Sequence, residues 1–306
     1  MMKSSGEIIS RARDLGVGIP AFNVPYLPMI KPVVQAVADA DAFALIEVAR
    51  PDWLKFEAKG MAAVMEEYQR WERSDRIRLH LDHVPVVDED DLEVDYLPII
   101  EEAITLGYAS VMVDGSRLDL EANIAATRKV AVLAHAAGIA CEAELGAVLG
   151  HGAGPLPPYE ELFASGRGFT DVAEAQRFVA ETECDWLSVA VGNIHGAISE
   201  ATRDKKKVAA RLDLEHLERL HAAVGIPLVL HGGSGVQQEY VLGAMKRGIA
   251  KVNVCTEIRQ AYEQGLKEGR SVDAGREAVY ERTLSLLRDD FGLAGIGPRI
   301  LGDGAP

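Results

Sequence analysis

VGIPAFNVPY, residues 17–26, settles the choice between two architectures. Val17–Val24 is a short apolar run of strand length, and the turn after it reads Asn23-Val24-Pro25-Tyr26. An open doubly wound sheet that holds a dinucleotide carries G-x-G-x-x-G at this turn, and the residues present cannot cradle a pyrophosphate in that way. Seven further apolar or β-branched runs follow: Phe43–Ala49, Ile77–Asp82, Ala109–Val113, Ile139–Glu144, Trp186–Val191, Pro227–Leu230 and Ala250–Val254. Helical spacing fills the intervals at Met29–Ala40, Trp53–Trp71, Leu97–Leu106, Leu120–Ala137, Val172–Thr182, Leu214–Val224 and Val236–Arg247, with Thr256–Lys267 and Ala274–Asp289 at the end. Gly107, Gly138, Gly225 and Gly248 stand where a helix stops before the next strand. Eight strands alternating with helices predict a parallel sheet, and eight strands close a barrel. The expectation is a single-domain α/β chain over 1–306: a (β/α)8 TIM barrel without a linker.

Two polar stretches interrupt the alternation. Gly146–Thr170 is rich in Gly and Pro and follows strand five, and His195–Arg211, carrying Lys205-Lys206-Lys207, follows strand six. Loops this long in a barrel are commonly lids or binding loops, and both fall on the C-terminal face where such enzymes build their sites. The lysine run reads equally well as a solvated helix face.

Composition narrows the partners. A formal charge of −15 argues against nucleic acid, whose phosphates select Lys and Arg surfaces, but leaves a small anionic metabolite open. Cys141, Cys184 and Cys255 are odd in number, widely spaced and without a CxxC, as expected of reduced thiols in a cytoplasm. Charged residues from Lys3 to Asp14 leave no apolar leader, and no run reaches membrane-spanning length. A cytoplasmic protein with no membrane partner is the expectation.

Polar residues collect at the strand ends. Strand three ends Leu81-Asp82-His83, strand four Val113-Asp114, and strand five Glu142-Ala143-Glu144. Strand six runs into Gly192-Asn193-Ile194-His195-Gly196, strand seven into His231-Gly232-Gly233-Ser234-Gly235, and strand eight ends Asn253-Val254-Cys255-Thr256. Any one of these histidines alone reads as a packed rim residue. Three imidazoles from separate strands with an open fourth position read instead as a catalytic zinc site. His80 lies inside strand three and is expected in a barrel layer, while His135, His216 and His221 fall in helices. His151 lies in the strand-five excursion and is open to either reading. Asp82 can be a proton-transfer base, an orienting partner or a helix cap. The glycine turn after strand seven offers free N–H groups and a helix N-terminus at Val236, a phosphate-binding arrangement that is also an ordinary tight turn.

Several stretches resemble the class II ketose-bisphosphate aldolases, a family that includes fructose- and tagatose-bisphosphate aldolases. They are Ala21-Phe22-Asn23-Val24, Leu79-His80-Leu81-Asp82-His83, Ser110-Val111-Met112-Val113-Asp114-Gly115-Ser116, Glu142-Ala143-Glu144-Leu145-Gly146, Leu228 to Gly235, and Lys251-Val252-Asn253-Val254 with Thr256. They occur in family order and cover most of the chain. The resemblance implies zinc on His83, His195 and His231 and proton transfer by Asp82. Asp114 and Glu144 match acidic positions that contact a second or mobile cation, divalent or monovalent. Asn23 belongs to the substrate end. Gly196, Gly232, Ser234, Asn253 and Thr256 match positions that hold the phosphate of dihydroxyacetone phosphate, and Arg259 one that in some members reaches a second phosphate.

The implied reaction is retro-aldol cleavage of a phosphorylated ketose, fructose 1,6-bisphosphate or a close analogue, to dihydroxyacetone phosphate and an aldehyde, zinc stabilising the enediolate. The resemblance also implies a homodimer or homotetramer. Departures from the family cluster around the substrate. Gly150-His151-Gly152-Ala153-Gly154-Pro155 replaces a Gly-Gly-acid-acid loop, leaving Glu160 and Glu161 as the nearest acids. Ala197-Ile198-Ser199 stands where Tyr-Lys is usual, and Glu47-Val48-Ala49-Arg50 where Gln and Ser are. They keep open a catalytically silent paralogue that supports another subunit. A zinc hydrolase on this barrel is weaker, since no His-x-His follows strand one. No lysine at a strand end suggests Schiff-base chemistry.

Overall fold

A computed structural model describes residues 3–72, 75–146, 159–193 and 210–302. Eight parallel strands close a barrel in chain order: β1 Ile19–Asn23, β2 Ala44–Ala49, β3 Ile77–Pro85, β4 Ser110–Asp114, β5 Ala140–Leu145, β6 Trp186–Val189, β7 Leu228–Leu230 and β8 Ile249–Val254. β1 pairs with both β2 and β8, so no strand edge is left open to pair with another chain. Each strand is an apolar run because both of its faces are covered, one by helices and one by the barrel interior. All eight coincide with the runs named above, with ends displaced by at most three residues.

The helices between the strands are α2 Ile30–Asp39, α3 Arg50–Leu54, α4 Met61–Trp71, α5 Tyr96–Leu106, α6 Leu120–Ala136, α8 Val172–Thr182, α9 Leu214–Val224 and α10 Gln238–Met245, followed by α11 Thr256–Gly269 and α12 Val272–Ser285. Three more are additions to the expected pattern: α1 Ser5–Leu15, α7 Tyr159–Ser165 within the strand-five excursion, and α13 Gly297–Leu301. α1 has a local cause in Ser4-Ser5-Gly6-Glu7. Glu7 N donates to Ser4 Oγ (3.2 Å) and Ser4 N donates to Glu7 Oε2 (2.7 Å), a reciprocal cap that satisfies two otherwise orphan donors. Its buried face, Ile8, Ile9 and Ala12, packs against β8 and α13.

One expected helix is two. Trp53–Trp71 divides into α3 and α4 because Lys59 and Gly60 adopt φ of 61° and 96°, values no helix interior accepts. The break releases Phe56, which, with Asp52 of α3, faces the cavity at the barrel mouth. The helix expected from Val236 begins at Gln238, after a tight turn at Gly233–Gly235. Among the described residues, no helix is long and apolar enough to cross a membrane.

Candidate active site

Alternation along a strand sends neighbours to opposite faces, so Asp82 and His83 should not share a site. A β-bulge overrides that rule. The ladder between β3 and β4 runs Leu81↔Val111 and then Val84↔Val113, three steps on β3 against two on β4. The extra residue is absorbed where His83 takes φ of 39°, a left-handed value uncommon for a residue with a side chain. Such strain persists where surrounding structure holds it, and here it brings both side chains to one cavity.

That cavity opens at the C-terminal ends of the strands. Its walls include Asn23, Asp82, His83, Asp114, His231, Gly232, Ser234, Asn253, Thr256 and Arg259. Every site residue named from the sequence and present among the described residues is there, except Glu144. His195 and Gly196 lie outside the described residues, as do His151, Gly150–Pro155, Ala197–Ser199 and Lys205–Lys207. Glu144 sits directly behind the wall, buried, with Oε2 at 3.6 Å from His231 Nδ1 and accepting from Ser188 Oγ (3.4 Å).

Two of the three expected histidine ligands are among the described residues, and they face each other: His83 Nε2 and His231 Nδ1 are 2.7 Å apart. The far nitrogen of each ring is turned to a carboxylate. His231 Nε2 is 2.8 Å from Glu142 Oε1, and His83 Nδ1 is 3.5 Å from Asp114 Oδ2. A carboxylate that takes the far N–H leaves the near nitrogen its lone pair, the arrangement that supports metal-binding imidazoles. Donor atoms of Asp82, His83 and His231 all lie within 4.8 Å of one another. Electrostatics agree. Burial pushes His83 down, but Asp82, Asp114 and Glu144 outweigh it and raise it to about 10, whereas burial and then His83 lower His231. The donor set fits zinc, with nitrogen ligands on separate strands and orienting carboxylates behind them.

Asp82 is buried, and both its oxygens are fixed. Oδ2 accepts from Asn23 Nδ2 (3.0 Å) and Oδ1 from Asn253 Nδ2 (3.0 Å). Burial pushes its carboxyl up, but His83, Lys251, His231 and His80 together hold it well below the usual range, so it stands ionised. Asp52, also on the wall, behaves oppositely: burial, with Asp82 adding to it, raises it to about 7, although its Oδ2 accepts from Ala49 N (2.8 Å).

The glycine turn after β7 and the start of α11 also line this cavity. Gly232 has φ of 70°, and a Cβ on Gly233 would lie 2.6 Å from Val252 Cγ1, so the turn needs glycine at both places. Ser234 Oγ is buried without a hydrogen-bond partner among the described residues, a donor left for a ligand. Thr256 opens α11, a helix of 14 residues, whose N-terminus adds its unpaired N–H groups. Arg259 is also on the wall; its guanidinium lies over the Phe56 ring, 5.5 Å from its centroid, and donates to both oxygens of Glu263 (2.9 and 2.8 Å).

Beneath the site the barrel interior is charged. Lys251, in the middle of β8 and fully buried, places Nζ 2.9 Å from Glu142 Oε2 on β5 and 3.1 Å from Glu47 Oε2 on β2. His80 Nε2 is 3.4 Å from Glu142 Oε2, and its Nδ1 meets Ser110 Oγ at 2.9 Å, the barrel-layer role expected of it. The sequence reading passes over Lys251 and the contact of Glu142 with His231. A lysine inside Ile249-Ala250-Lys251-Val252 was the available signal. Burial pushes Lys251 down, but Glu142, Glu47 and Asp82 outweigh it and hold the ammonium firmly charged, which removes it as a Schiff-base nucleophile. Glu47 also corrects an expectation. It does not surround the substrate but lies under the site, where burial, then Asp82, raises its carboxyl well above the usual range. Arg50 pairs with Asp88 (3.2 Å), and Glu160 on α7 pairs with Arg211.

Known proteins share this architecture and sequence. The family model described as fructose-bisphosphate aldolase class-II matches residues 3–294. A fructose-bisphosphate aldolase of Streptococcus pyogenes serotype M1 is 32% identical over 290 residues, covering 91% of this chain and 87% of that one. One from Streptococcus pneumoniae serotype 4 is 31% identical over 291 residues, with the same coverage of 91% and 87%. Among solved structures, the YdjI aldolase from Escherichia coli K12 superposes with a TM-score of 0.75 at 28% identity, covering 96% of this chain and 99% of the other.

Proposed function

This chain belongs to the class-II fructose-bisphosphate aldolase family and is an aldolase, a carbon–carbon lyase; from that premise we propose that it is zinc-dependent and cleaves a phosphorylated ketose to dihydroxyacetone phosphate and an aldehyde. The observation that carries the proposal is the bulge in β3, which sets a fixed carboxylate, Asp82, beside a histidine that faces His231. A proton acceptor and a metal-ligand pair then share one cavity with a glycine turn suited to phosphate.

In this reading His83 and His231, with His195, hold the zinc, and Asp114 and Glu144 supply negative charge behind it. When bound, zinc acts as a Lewis acid toward the negative charge that develops on the ketone oxygen. The remaining work belongs to the chain. Gly232, Ser234 and Thr256, with Gly196, hold the phosphate of the three-carbon end through N–H groups and hydroxyls. That anchor places the C4 hydroxyl against Asp82. As the C3–C4 bond breaks, the C4 hydroxyl gives its proton to Asp82 and becomes the aldehyde carbonyl; the bonding pair leaves with the three-carbon fragment, whose C3 then takes a proton from solvent to give dihydroxyacetone phosphate. In condensation Asp82 returns the proton. Arg259 lies at the aldehyde end, where its charge is already shared with Glu263. A silent supporting subunit has no need of this set, and it is not the favoured reading.

The test is product analysis. The zinc-loaded protein is incubated with ketose 1-phosphates and ketose bisphosphates, and dihydroxyacetone phosphate is measured with a coupled dehydrogenase. Release from at least one of them is expected. No release from any member of a panel covering the C3 and C4 stereoisomers refutes the proposed substrate class.

A further inference from the structure

We propose that Lys251 is a positioning residue for the aldol step: its ammonium fixes which way the Asn253 amide faces, and through that amide it fixes the carboxylate of Asp82. The proposal rests on the reading of Asp82 as the proton-transfer residue. Lys251 is fully buried and not on the cavity wall, so whatever it does for the reaction it does through another group.

An ammonium has three N–H donors and no acceptor. Lys251 Nζ donates one hydrogen bond, to Asn253 Oδ1 at 2.7 Å, and is ion-paired with Glu142 Oε2 at 2.9 Å and Glu47 Oε2 at 3.1 Å. Asp82 Oδ1 is further off, at 3.9 Å. Because the ammonium can only donate, Asn253 must turn its carbonyl oxygen to it. The amide nitrogen is then the atom left to face Asp82, and it does, with Nδ2 at 3.0 Å from Oδ1. Flipping the amide would set N–H against ammonium and carbonyl against carboxylate, two repulsive contacts in a buried place where each is costly. Asn23 binds the other oxygen of Asp82, so the carboxylate is gripped on both sides and its plane is set. Without Lys251 the Asn253 grip loses its direction.

A purely structural lysine, present only to neutralise Glu47 and Glu142, would give a different pattern in a variant series. Removing Lys251 alone strands two buried carboxylates, so the series is built on Glu47→Gln, which removes one of them. On that background Lys251→Met is expected to lower kcat by about 100-fold, the scale of a misplaced reacting group, while KM for the ketose phosphate moves by less than about threefold. Zinc content is expected to stay at the level of the parent. Adding Asn253→Ala to the pair is expected to lower kcat by less than the product of the two separate losses, because both changes break one chain of contacts, and to raise KM, because Asn253 also lies on the cavity wall. Turnover close to that of Glu47→Gln, or a loss that multiplies when Asn253→Ala is added, overturns the proposal.

Asp82→Ala is measured in parallel. If it retains full turnover, the reading of Asp82 has failed. If it is inactive while Lys251→Met stays active, only the positioning role has. Should the Lys251 variants not fold, the orientation is read from a crystal structure of the wild-type enzyme at better than about 1.2 Å, where amide atoms can be told apart. Asn253 Oδ1 facing Lys251 is expected; its nitrogen there, or the side chain turned away, overturns the proposal.

Discussion

Asp82→Ala is expected to keep its zinc and its fold and to lose turnover by about 10²–10⁴-fold, the range associated with removing a positioned general base. The expectation follows from where the carboxylate sits. It is buried, held ionised by the cationic groups around it, and fixed by an amide on each oxygen. An alanine offers the C4 hydroxyl no acceptor, and the two asparagines then face a void. Asp82→Asn separates charge from shape: it fills the same volume, still cannot accept a proton, and should be as slow as the alanine variant. Steady-state kinetics beside metal analysis check both. Near-normal kcat in either variant removes Asp82 from its role.

His231→Ala is expected to fail differently, through the metal. His231 Nδ1 points at His83, and His231 Nε2 is held by Glu142, so the ring is a candidate ligand with its orientation already set. Loss of an orienting partner alone typically costs 10–100-fold in metal affinity, so losing the ligand should cost more than about 100-fold. Competition against a zinc-binding dye reads the affinity directly, and activity should fall in step with bound zinc. Excess zinc should restore part of the activity if His83 and His195 still hold the ion. One equivalent of zinc bound with unchanged affinity would contradict the ligand assignment.

The eight strands were legible because each lies largely buried on both faces, which writes it as a mostly apolar run with polar residues toward its end. Helix ends were legible where glycine closes them, as at Gly107 and Gly225, both with left-handed φ. The candidate site was legible for the same reason: in a closed barrel the strand ends converge, so Asp82, Asp114, His231 and Asn253 needed only a correct strand count to be brought together. What the sequence did not reveal depends on contacts between distant strands or on a single backbone angle. The bulge at His83 has no composition signal. Lys251 meets Glu142 and Glu47 only across the barrel, so its partners could not be read from neighbours in the chain. Glu47 looked like a substrate-facing departure because its strand ends near the site, yet its side chain is buried below it. The break between α3 and α4 was hidden by helical spacing that continues through Phe56–Gly60.

The most direct test of the central claim is release of dihydroxyacetone phosphate from the best ketose phosphate, measured before chelation, after exhaustive chelation, and after adding one equivalent of zinc. The account predicts loss on chelation and recovery with zinc. Turnover that persists in protein shown by elemental analysis to hold no metal would contradict it.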